Sequence, residues 1–282
     1  MKITFEIYYH TRWGESLFLS GDIDELGANE DNRAVMMDYQ GDGLWKYTME
    51  LPASAKKFHY EYLVKSGEGI RREWGSPHSF SPGKNAGEYR LVDRWRDVPA
   101  DLPFYSSAFI QGIFFRQHAD SVVETIEPGT LTVKVDASQL RPDERLVMVG
   151  DCPELGDWDV LKAPLLNDSA FPEWQITLDG KQLKFPFEYK FVIVRTHQRE
   201  VVAWETGENR ICREKPQNPS EAVVVSGLRF NGSAVEGSRD GDSGIFSPYG
   251  LWVRHRGVYR FEIFGRLGVK NRTVVYTATP GE

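Results

Sequence analysis

This 282-residue sequence lacks the patterns that indicate a disulfide framework, a membrane span or a signal peptide. It contains only two cysteines, Cys152 and Cys212, so no disulfide framework can support a fold. No apolar run approaches the roughly 18 residues that span a bilayer. The first residues alternate apolar and polar side chains, as a strand does and a signal peptide does not. These absences predict a protein of the reducing cytoplasm without a membrane partner.

Sequence patterns for catalysis and for nucleic-acid binding are missing as well. With 34 Lys and Arg against 41 Asp and Glu, the net charge is −7, and no basic run could neutralise a phosphate backbone. There is no Gly-x-Ser-x-Gly, phosphate loop or His-Glu-x-x-His, and the six histidines lack metal-ligand spacing. The acidic residues show no pairing of the kind that glycoside hydrolysis needs. We therefore predict no nucleic-acid partner, cofactor, metal or catalytic residue in this chain.

An internal repeat is the strongest positive signal. The Gly-Asp segment 21–27 recurs at 150–156, an offset of 150 − 21 = 129. Three further features recur near this offset: Trp45 as Trp174 at 129, 58–62 as 187–191 at 129, and Trp74 as Trp204 at 130. Four features in register predict a duplicated domain.

Both copies consist of short alternating segments separated by Gly, Pro, Asp and Asn turns, without a long helical period. This pattern predicts an all-β protein of two tandem antiparallel immunoglobulin-like β-sandwiches. The predicted division is 1–98 for the first domain, 99–119 for an apolar linker, 120–230 for the second domain and 231–282 for a tail. Because the linker is too apolar for a free tether, we expect it to dock and to hold the domains rigidly.

The second copy carries a specific set of motifs: Gly-Asp at 150–151, Leu-Gly-Asp-Trp at 155–158, Phe-Glu-Tyr-Lys-Phe at 187–191, Ala-Trp-Glu at 203–205 and Asn-Arg at 209–210. Together they resemble the starch-binding domains of carbohydrate-binding module family twenty. The resemblance implies a main sugar site formed by Trp158, Lys190, Trp204, Glu205 and Asn209.

The chemistry of an α-1,4-glucan agrees with these residue types, because its apolar C–H faces suit exposed indoles and its hydroxyl rim suits polar side chains. Lys190 lies between Tyr189 and Phe191, so strand alternation points it away from the core. Trp158 and Trp204 lie in or beside turns, which makes them ligand candidates. We assign Trp45 and Trp174, which lie within strands, to the core instead, because most tryptophans in a sandwich are buried.

The first copy departs from the motif set. Asn29 follows its turn where a tryptophan is expected, Glu61 replaces the lysine, and Ser79 stands in for the asparagine. Trp74 is the one main-site candidate that remains in this copy. The resemblance also implies a second site, for which this copy supplies Trp13 and Tyr39, whereas the second copy has Pro142 at the first of these places.

The tail after residue 230 matches neither copy. It is either a disordered or accessory extension or the product of a frame change after about Glu236. Residues 239–247 can be encoded so that another frame reads Gly-Thr-Ala-Ile-Pro-Val-Phe-Ser, which resembles the start of the catalytic domain of 4-α-glucanotransferases of the amylomaltase family. Enzymes of that type can carry two N-terminal starch-binding domains. The resemblance therefore implies a binding part that is missing its C-terminal catalytic barrel.

Three functions remain open at this point. The first is binding of starch, glycogen or maltooligosaccharides as the substrate-binding part of a 4-α-glucanotransferase, without catalysis in this chain. The second is a free-standing scaffold that targets another enzyme to glucan. The third is an enzyme acting on maltose in its own right.

Overall fold

The computed structural model describes residues 1–52, 54–83, 87–98, 105–106, 110–111 and 126–232, together with the backbone of two short paired strands, Phe261–Ile263 and Val274–Tyr276. Strands dominate these residues, and the predicted all-β class is confirmed. Most of the predicted linker and tail lies outside the described residues. Cys152 and Cys212 are both buried and free. No helix in the described part of the chain is long and apolar enough to cross a membrane.

Each copy contributes a comparable series of strands. The first copy contains β1 (Lys2–Tyr8), β2 (Ser16–Gly21), β3 (Val35–Met36), β4 (Asp38–Gly41), β5 (Leu44–Glu50), β6 (Phe58–Ser66), β7 (Gly69–Arg72), β8 (His78–Phe80) and β9 (Glu88–Arg94). The second contains β10 (Thr130–Asp136), β11 (Glu144–Gly150), β12 (Asn167–Ala170), β13 (Glu173–Asp179), β14 (Phe187–Arg195), β15 (Val201–Trp204), β16 (Arg210–Cys212) and β17 (Glu221–Arg229).

The two copies share one eight-stranded sheet, which the sequence did not predict. Its order is β12-β13-β10-β17-β9-β1-β5-β4, so the last strands of the two copies, β9 and β17, lie side by side at its centre. They pair in parallel from Glu88 with Glu221 to Asp93 with Ser226. Each copy adds a smaller sheet, β3-β2-β6-β7 with β8 on β6 in the first and β11-β14-β15 with β16 on β14 in the second. Two sandwiches are therefore present, joined through a common layer.

The shared strands are buried on both faces, as strands of a parallel sheet usually are. Leu91 of β9 and Val224 of β17 belong to the core of the first copy. Their chain neighbours Val92 and Val225 belong to the core of the second copy. Because successive side chains point to opposite faces, the smaller sheet of each copy packs on its own face of the central sheet.

Buried polar contacts join the two central strands. Asp93, which is fully buried, accepts hydrogen bonds from Ser226 of the second copy at 2.5 Å and from Tyr60 and Tyr62 of the first copy at 2.8 and 2.6 Å. The Ser226 hydroxyl also lies 3.0 Å from Nδ1 of the buried His78. One serine thus completes a network that belongs mainly to the other copy.

A second set of contacts joins the same strands through Arg90. Its guanidinium bonds Glu221 at 3.2 Å and Glu214 at 2.8 Å, and the backbone carbonyl of Lys215 at 2.7 Å. A buried guanidinium requires such partners because its charge is costly to remove from water. The contacts with Glu221 and Glu214 therefore bind the copies to each other in a fixed register.

Ser226→Ala is expected to lower the free energy of unfolding by about 1–3 kcal/mol, because it removes a hydrogen-bond partner of both Asp93 and His78 in a buried site. Since both copies depend on the shared sheet, the loss should appear in one cooperative transition, followed by tryptophan fluorescence in urea. Ser66→Ala, at the end of β6 and away from the central sheet, serves as the matched control. Two separate transitions, of which only that of the second copy shifts, would contradict a shared folding unit.

The tryptophans assigned to the core are confirmed there. Trp45 and Trp174 are both buried. Their indole N–H groups donate to backbone carbonyls at equivalent places, to Tyr9 at 3.0 Å and to Ala137 at 2.9 Å. This shared geometry supports the duplication inferred from the sequence.

Candidate functional site

One outer face of the second copy brings several predicted site residues together. In β14, Tyr189 and Phe191 are buried in the core, so the alternating Lys190 and Val192 lie on the outer face. Val192 pairs directly with Trp204 on β15, which places Trp204 on that face too. Trp158 packs against the small apolar cluster that contains Val192. Trp158, Lys190 and Trp204 therefore share a single surface.

The turn that carries Trp158 has an unusual backbone. Asp157 and Trp158 have φ values of +50° and +64°, a left-handed conformation that is uncommon for residues with side chains and is often found at ligand sites. Gly156 precedes them, and a Cβ there would lie 2.7 Å from the Asp159 carbonyl oxygen, so only glycine fits. The Trp158 N–H donates to the Gly150 carbonyl at 2.7 Å. The turn holds the half-buried indole against the sheet.

Lys190 reaches from the strand to the loop that follows Trp204. Its Nζ donates to the backbone carbonyls of Glu205 at 3.2 Å and Gly207 at 2.6 Å. Because an ammonium group has three donors, one donor remains for a ligand. Trp204 itself is 42% exposed. The face thus combines open aromatic area with a fixed cationic donor.

Glu205, the fourth of the predicted site residues, lies beneath this face. Its side chain is only 4% exposed. Arg210 donates to its oxygens from Nε at 3.0 and 3.1 Å and from Nη2 at 2.5 Å, and the Phe191 N–H donates to it at 3.2 Å. The Glu205 carboxylate therefore forms a buried ion pair that holds the loop, and its predicted contact with sugar stays a prediction.

Two more side chains, neither of them singled out from the sequence, hold the same loop. Asn231 accepts from the Thr206 N–H at 2.9 Å and lies 3.2 Å from the Thr206 hydroxyl. Glu188, two residues before Lys190 on β14, accepts from the Asn209 side-chain amide at 2.8 Å. Alternation could have placed Glu188 on the outer face, whereas the Asn231 contact depends on how distant segments fold together.

Strand pairing corrects the correspondence between the two copies. Val192 pairs with Trp204, and its counterpart Leu63, at 192 − 63 = 129, pairs with Arg72. Arg72, and not Trp74, therefore occupies the place of Trp204. In the same way, Arg210 pairs with Tyr189 and His78 pairs with Tyr60. The residue before His78 is Pro77, so Pro77 and not Ser79 corresponds to Asn209.

The buried carboxylate is retained in the first copy as Glu73. It accepts from the Tyr62 N–H at 3.1 Å, as Glu205 does from Phe191, and it bonds His78 at 3.1 Å and Arg96 at 3.0 Å. Burial raises the pKa of the Glu73 carboxyl, but His78 and Arg96 outweigh that effect and lower the pKa to about 2. The framework of the loop is thus duplicated even though the surface above it is not.

The equivalent surface of the first copy is charged rather than aromatic. Asn29 adopts the left-handed turn position of Trp158, with φ +63° against +64°. Glu61 at the place of Lys190 forms a salt bridge with Arg72, which also bonds Asp31. Burial raises the pKa of the Glu61 carboxyl, partly offset by the Arg72 charge. No indole lies at any of the main-site positions of this copy.

Trp74 lies at the junction between the copies. The Arg229 guanidinium of the second copy sits 5.2 Å from its ring centroid, within cation–π range. The Tyr105 ring approaches the Trp74 ring edge-on at 5.2 Å. The backbone N–H of Trp74 donates to the Arg96 carbonyl at 2.7 Å. Trp74 therefore makes packing contacts at the junction, and its predicted sugar contact stays a prediction.

Trp74→Ala is expected to lower the free energy of unfolding by about 1–3 kcal/mol, because a half-buried ring and its cation–π contact are removed. Affinity for maltoheptaose should change by less than about twofold, because Trp74 packs at the junction between the copies and not on the outer face of the second copy. Urea denaturation and titration calorimetry measure the two quantities. A large loss of affinity with unchanged stability would instead indicate a direct sugar contact for Trp74.

The predicted second site of the first copy is open to solvent. Trp13 is fully exposed in the turn after β1, where Glu15 closes the turn by accepting from the Arg12 N–H at 2.8 Å. Tyr39 is 56% exposed on the edge strand β4, with its ring 5.0 Å from the buried Trp45. Both rings therefore offer apolar faces that a ligand can cover. The described residues contain no cluster of acidic, histidine or cysteine side chains that could hold a metal.

Comparison with a family model matches two segments of the chain, 1–86 and 130–223, to the family described as "Starch binding domain". Together they cover more than half of the sequence. Among curated proteins, the chain is 27% identical over 252 residues to "4-alpha-glucanotransferase DPE2" of Oryza sativa subsp. japonica, covering 80% of this chain and 26% of that protein. It is 34% identical over 73 residues to "AA13 family lytic polysaccharide monooxygenase A" of Aspergillus terreus, covering 24% of this chain and 18% of that protein.

Solved structures give similar matches. The family 20 module of a maltotetraose-forming amylase from Pseudomonas saccharophila is 20% identical, with a TM-score of 0.29 and coverage of 34% of this chain and 99% of the module. A glucoamylase from Hypocrea jecorina is 22% identical, with a TM-score of 0.32 and coverage of 34% of this chain and 17% of the enzyme. The chain spans about a quarter or less of the length of the curated relatives it matches.

Proposed function

The chain belongs to the starch-binding domain family, and from this membership we propose that it binds α-1,4-glucans through the outer face of its second copy. The residues proposed to contact sugar there are Trp158, Trp204, Lys190 and Asn209. A second contact is proposed at Trp13 and Tyr39 of the first copy. Glucan binding of this kind needs flat apolar surface beside fixed hydrogen-bonding groups. The second-copy residues supply both, and Trp13 and Tyr39 supply exposed aromatic surface.

The observation that carries this proposal is the shared face of Trp158, Lys190 and Trp204. The ladder between β14 and β15 places Trp204 beside Val192, and Trp158 packs against the cluster to which Val192 belongs. Two indoles can cover apolar sugar faces while Lys190 keeps a donor for the hydroxyl rim. With about 0.5–1.5 kcal/mol for each stacking contact, a single site should bind in the micromolar to millimolar range.

The wider role proposed for the chain is the substrate-binding part of a 4-α-glucanotransferase. The long match to the rice enzyme, which extends over most of this chain, supports this role. In this proposal residues 1–98 and 120–230 are the two binding domains, 99–119 links them, and 231–282 forms a C-terminal tail. Two buried free cysteines are compatible with a reducing cytoplasm.

Titration calorimetry of the full chain with maltoheptaose tests the binding proposal. Saturable binding in the range given above is expected, and cellohexaose, whose β-1,4 links give a different shape, serves as the control. Absence of heat and of retention on glycogen would overturn the proposal. A glucose assay with maltose, run in parallel, separates binding from an activity of the chain itself.

A further inference from the structure

The acidic side chain of Glu188 stands at the edge of the glucan-binding face. It lies on the same face of β14 as Lys190, because the two residues are separated by the inward-facing Tyr189. Its own N–H is fixed by Asp151, whose carboxylate accepts it at 2.9 Å. The Glu188 side chain is exposed, and one of its oxygens accepts from Asn209 at 2.8 Å.

This bond determines how Asn209 presents its amide. A side-chain amide has an NH₂ group on one side and a carbonyl oxygen on the other, and an ionised carboxylate can only accept hydrogen bonds. Glu188 therefore draws the NH₂ group of Asn209 towards β14. The carbonyl oxygen and the second N–H are left to face a ligand. Without Glu188 the amide could rotate and would lose this orientation before binding.

The first copy supplies an internal comparison. At 188 − 59 = 129, His59 takes the place of Glu188, and its ring nitrogen bonds Asp22 at 2.8 Å. Pro77, at the place of Asn209, has no side-chain donor. The acid–amide pair is thus absent from the copy whose equivalent face lacks both indoles, and it is present in the copy that has them.

We propose that Glu188 is a positioning residue for glucan binding: it orients the Asn209 amide so that Asn209 can bond a sugar hydroxyl. This inference rests on the proposed function, since it concerns the same face. It adds to that function a residue whose contribution passes through another side chain. It also separates two tasks in β14, because Lys190 fixes the loop through backbone carbonyls whereas Glu188 fixes a side chain.

A double-mutant cycle measured by calorimetry with maltoheptaose tests the role. Glu188→Ala is expected to weaken binding by about fivefold to tenfold, or about 1–1.4 kcal/mol, which lies within the net contribution of one typical hydrogen bond. Glu188→Gln keeps an acceptor and should restore most of the affinity. In an Asn209→Ala background, Glu188→Ala should change the affinity by less than about twofold, because its effect requires the amide.

Two further measurements distinguish this role from a loss of stability and from a general loss of negative charge. The Asn209 side-chain amide signals in a nitrogen-15 NMR spectrum should shift in Glu188→Ala, while the urea midpoint stays unchanged. Glu200→Ala removes another exposed charge, one that pairs with Arg195 at 3.2 Å, and it should leave the affinity unaltered. If the wild-type chain binds no α-glucan, the proposed function fails. If it binds and Trp204→Ala weakens binding, but Glu188→Ala is silent or equally harmful without Asn209, only the role of Glu188 is overturned.

Discussion

Trp204→Ala is expected to weaken maltoheptaose binding by about tenfold to a hundredfold. The ring offers a large exposed face, and losing both its stacking and its apolar contact area removes about 1.5–3 kcal/mol. Trp158→Ala should have a similar effect on affinity and an additional effect on stability, because its indole also packs against the Val192 cluster. Titration calorimetry measures the affinities, and urea denaturation measures the stabilities.

The control for this experiment removes apolar surface elsewhere. Ile70→Ala alters an exposed aliphatic side chain on β7 of the first copy, where Arg72 and Glu61 form a charged surface. Its affinity for maltoheptaose should equal that of the wild-type chain. Unaltered titration curves for both tryptophan variants would remove the second-copy face as the glucan site and leave Trp13 and Tyr39 to be tested in the same way.

Glu205→Ala is expected to lower the free energy of unfolding by about 3–5 kcal/mol, because it leaves Arg210 buried without its carboxylate partner. The Arg210 guanidinium and the Phe191 N–H both lose an acceptor in the variant. Thermal and urea denaturation measure the change. Affinity should fall as a consequence of the disturbed loop, so loss of stability and loss of binding should appear together.

A direct sugar contact would give a different result. In that case Glu205→Ala would reduce affinity while the urea midpoint remained at the wild-type value. Glu200→Ala, which removes an exposed acid from the neighbouring hairpin, is the matched control and should affect neither quantity. The comparison therefore decides whether this carboxylate acts on the ligand or on the loop beneath it.

Periodicity and repetition were sufficient to predict much of the fold. Matching at a fixed offset identified the duplication, and alternation placed Lys190 on the outer face. The usual burial of tryptophans within strands placed Trp45 and Trp174 in the core. The same rule of alternation predicts that the Glu205 side chain faces inward. If Trp204 faces outward at the end of a strand, the next residue faces inward, and Arg210 is close enough in sequence to pair with it.

The correspondence of Trp74 with Trp204 failed for a reason that sequence spacing hides. Lys65 pairs with Ile70 in the first copy, whereas Val194 pairs with Val201 in the second. The offset between equivalent residues is therefore 129 before the turn of this hairpin and 201 − 70 = 131 directly after it. An irregularity in β15 adds one more, which gives 204 − 72 = 132. A tryptophan at an offset of 130 matched by coincidence.

The parallel pairing of β9 with β17 could not be predicted from local patterns. β17 contains three consecutive valines, whereas β9 mixes Leu91 and Val92 with charged residues, and both patterns are equally compatible with the inner strand of a separate sandwich. The partner is selected by side chains far apart in the chain, such as Arg90 with Glu221 and Asp93 with Ser226. Such long-range complementarity has no signature within either strand.

The common central sheet also removes two strand edges that could otherwise cause association between molecules. If the copies were separate, β9 and β17 would each expose a full row of unpaired N–H and C=O groups, which is the kind of border that recruits strands from other molecules. In the common sheet, β9 and β17 pair with each other, so neither strand has an exposed edge on that side. A fragment that ends after residue 98 would therefore be prone to self-association, because the exposed edge of its β9 could pair with the same strand of a second molecule.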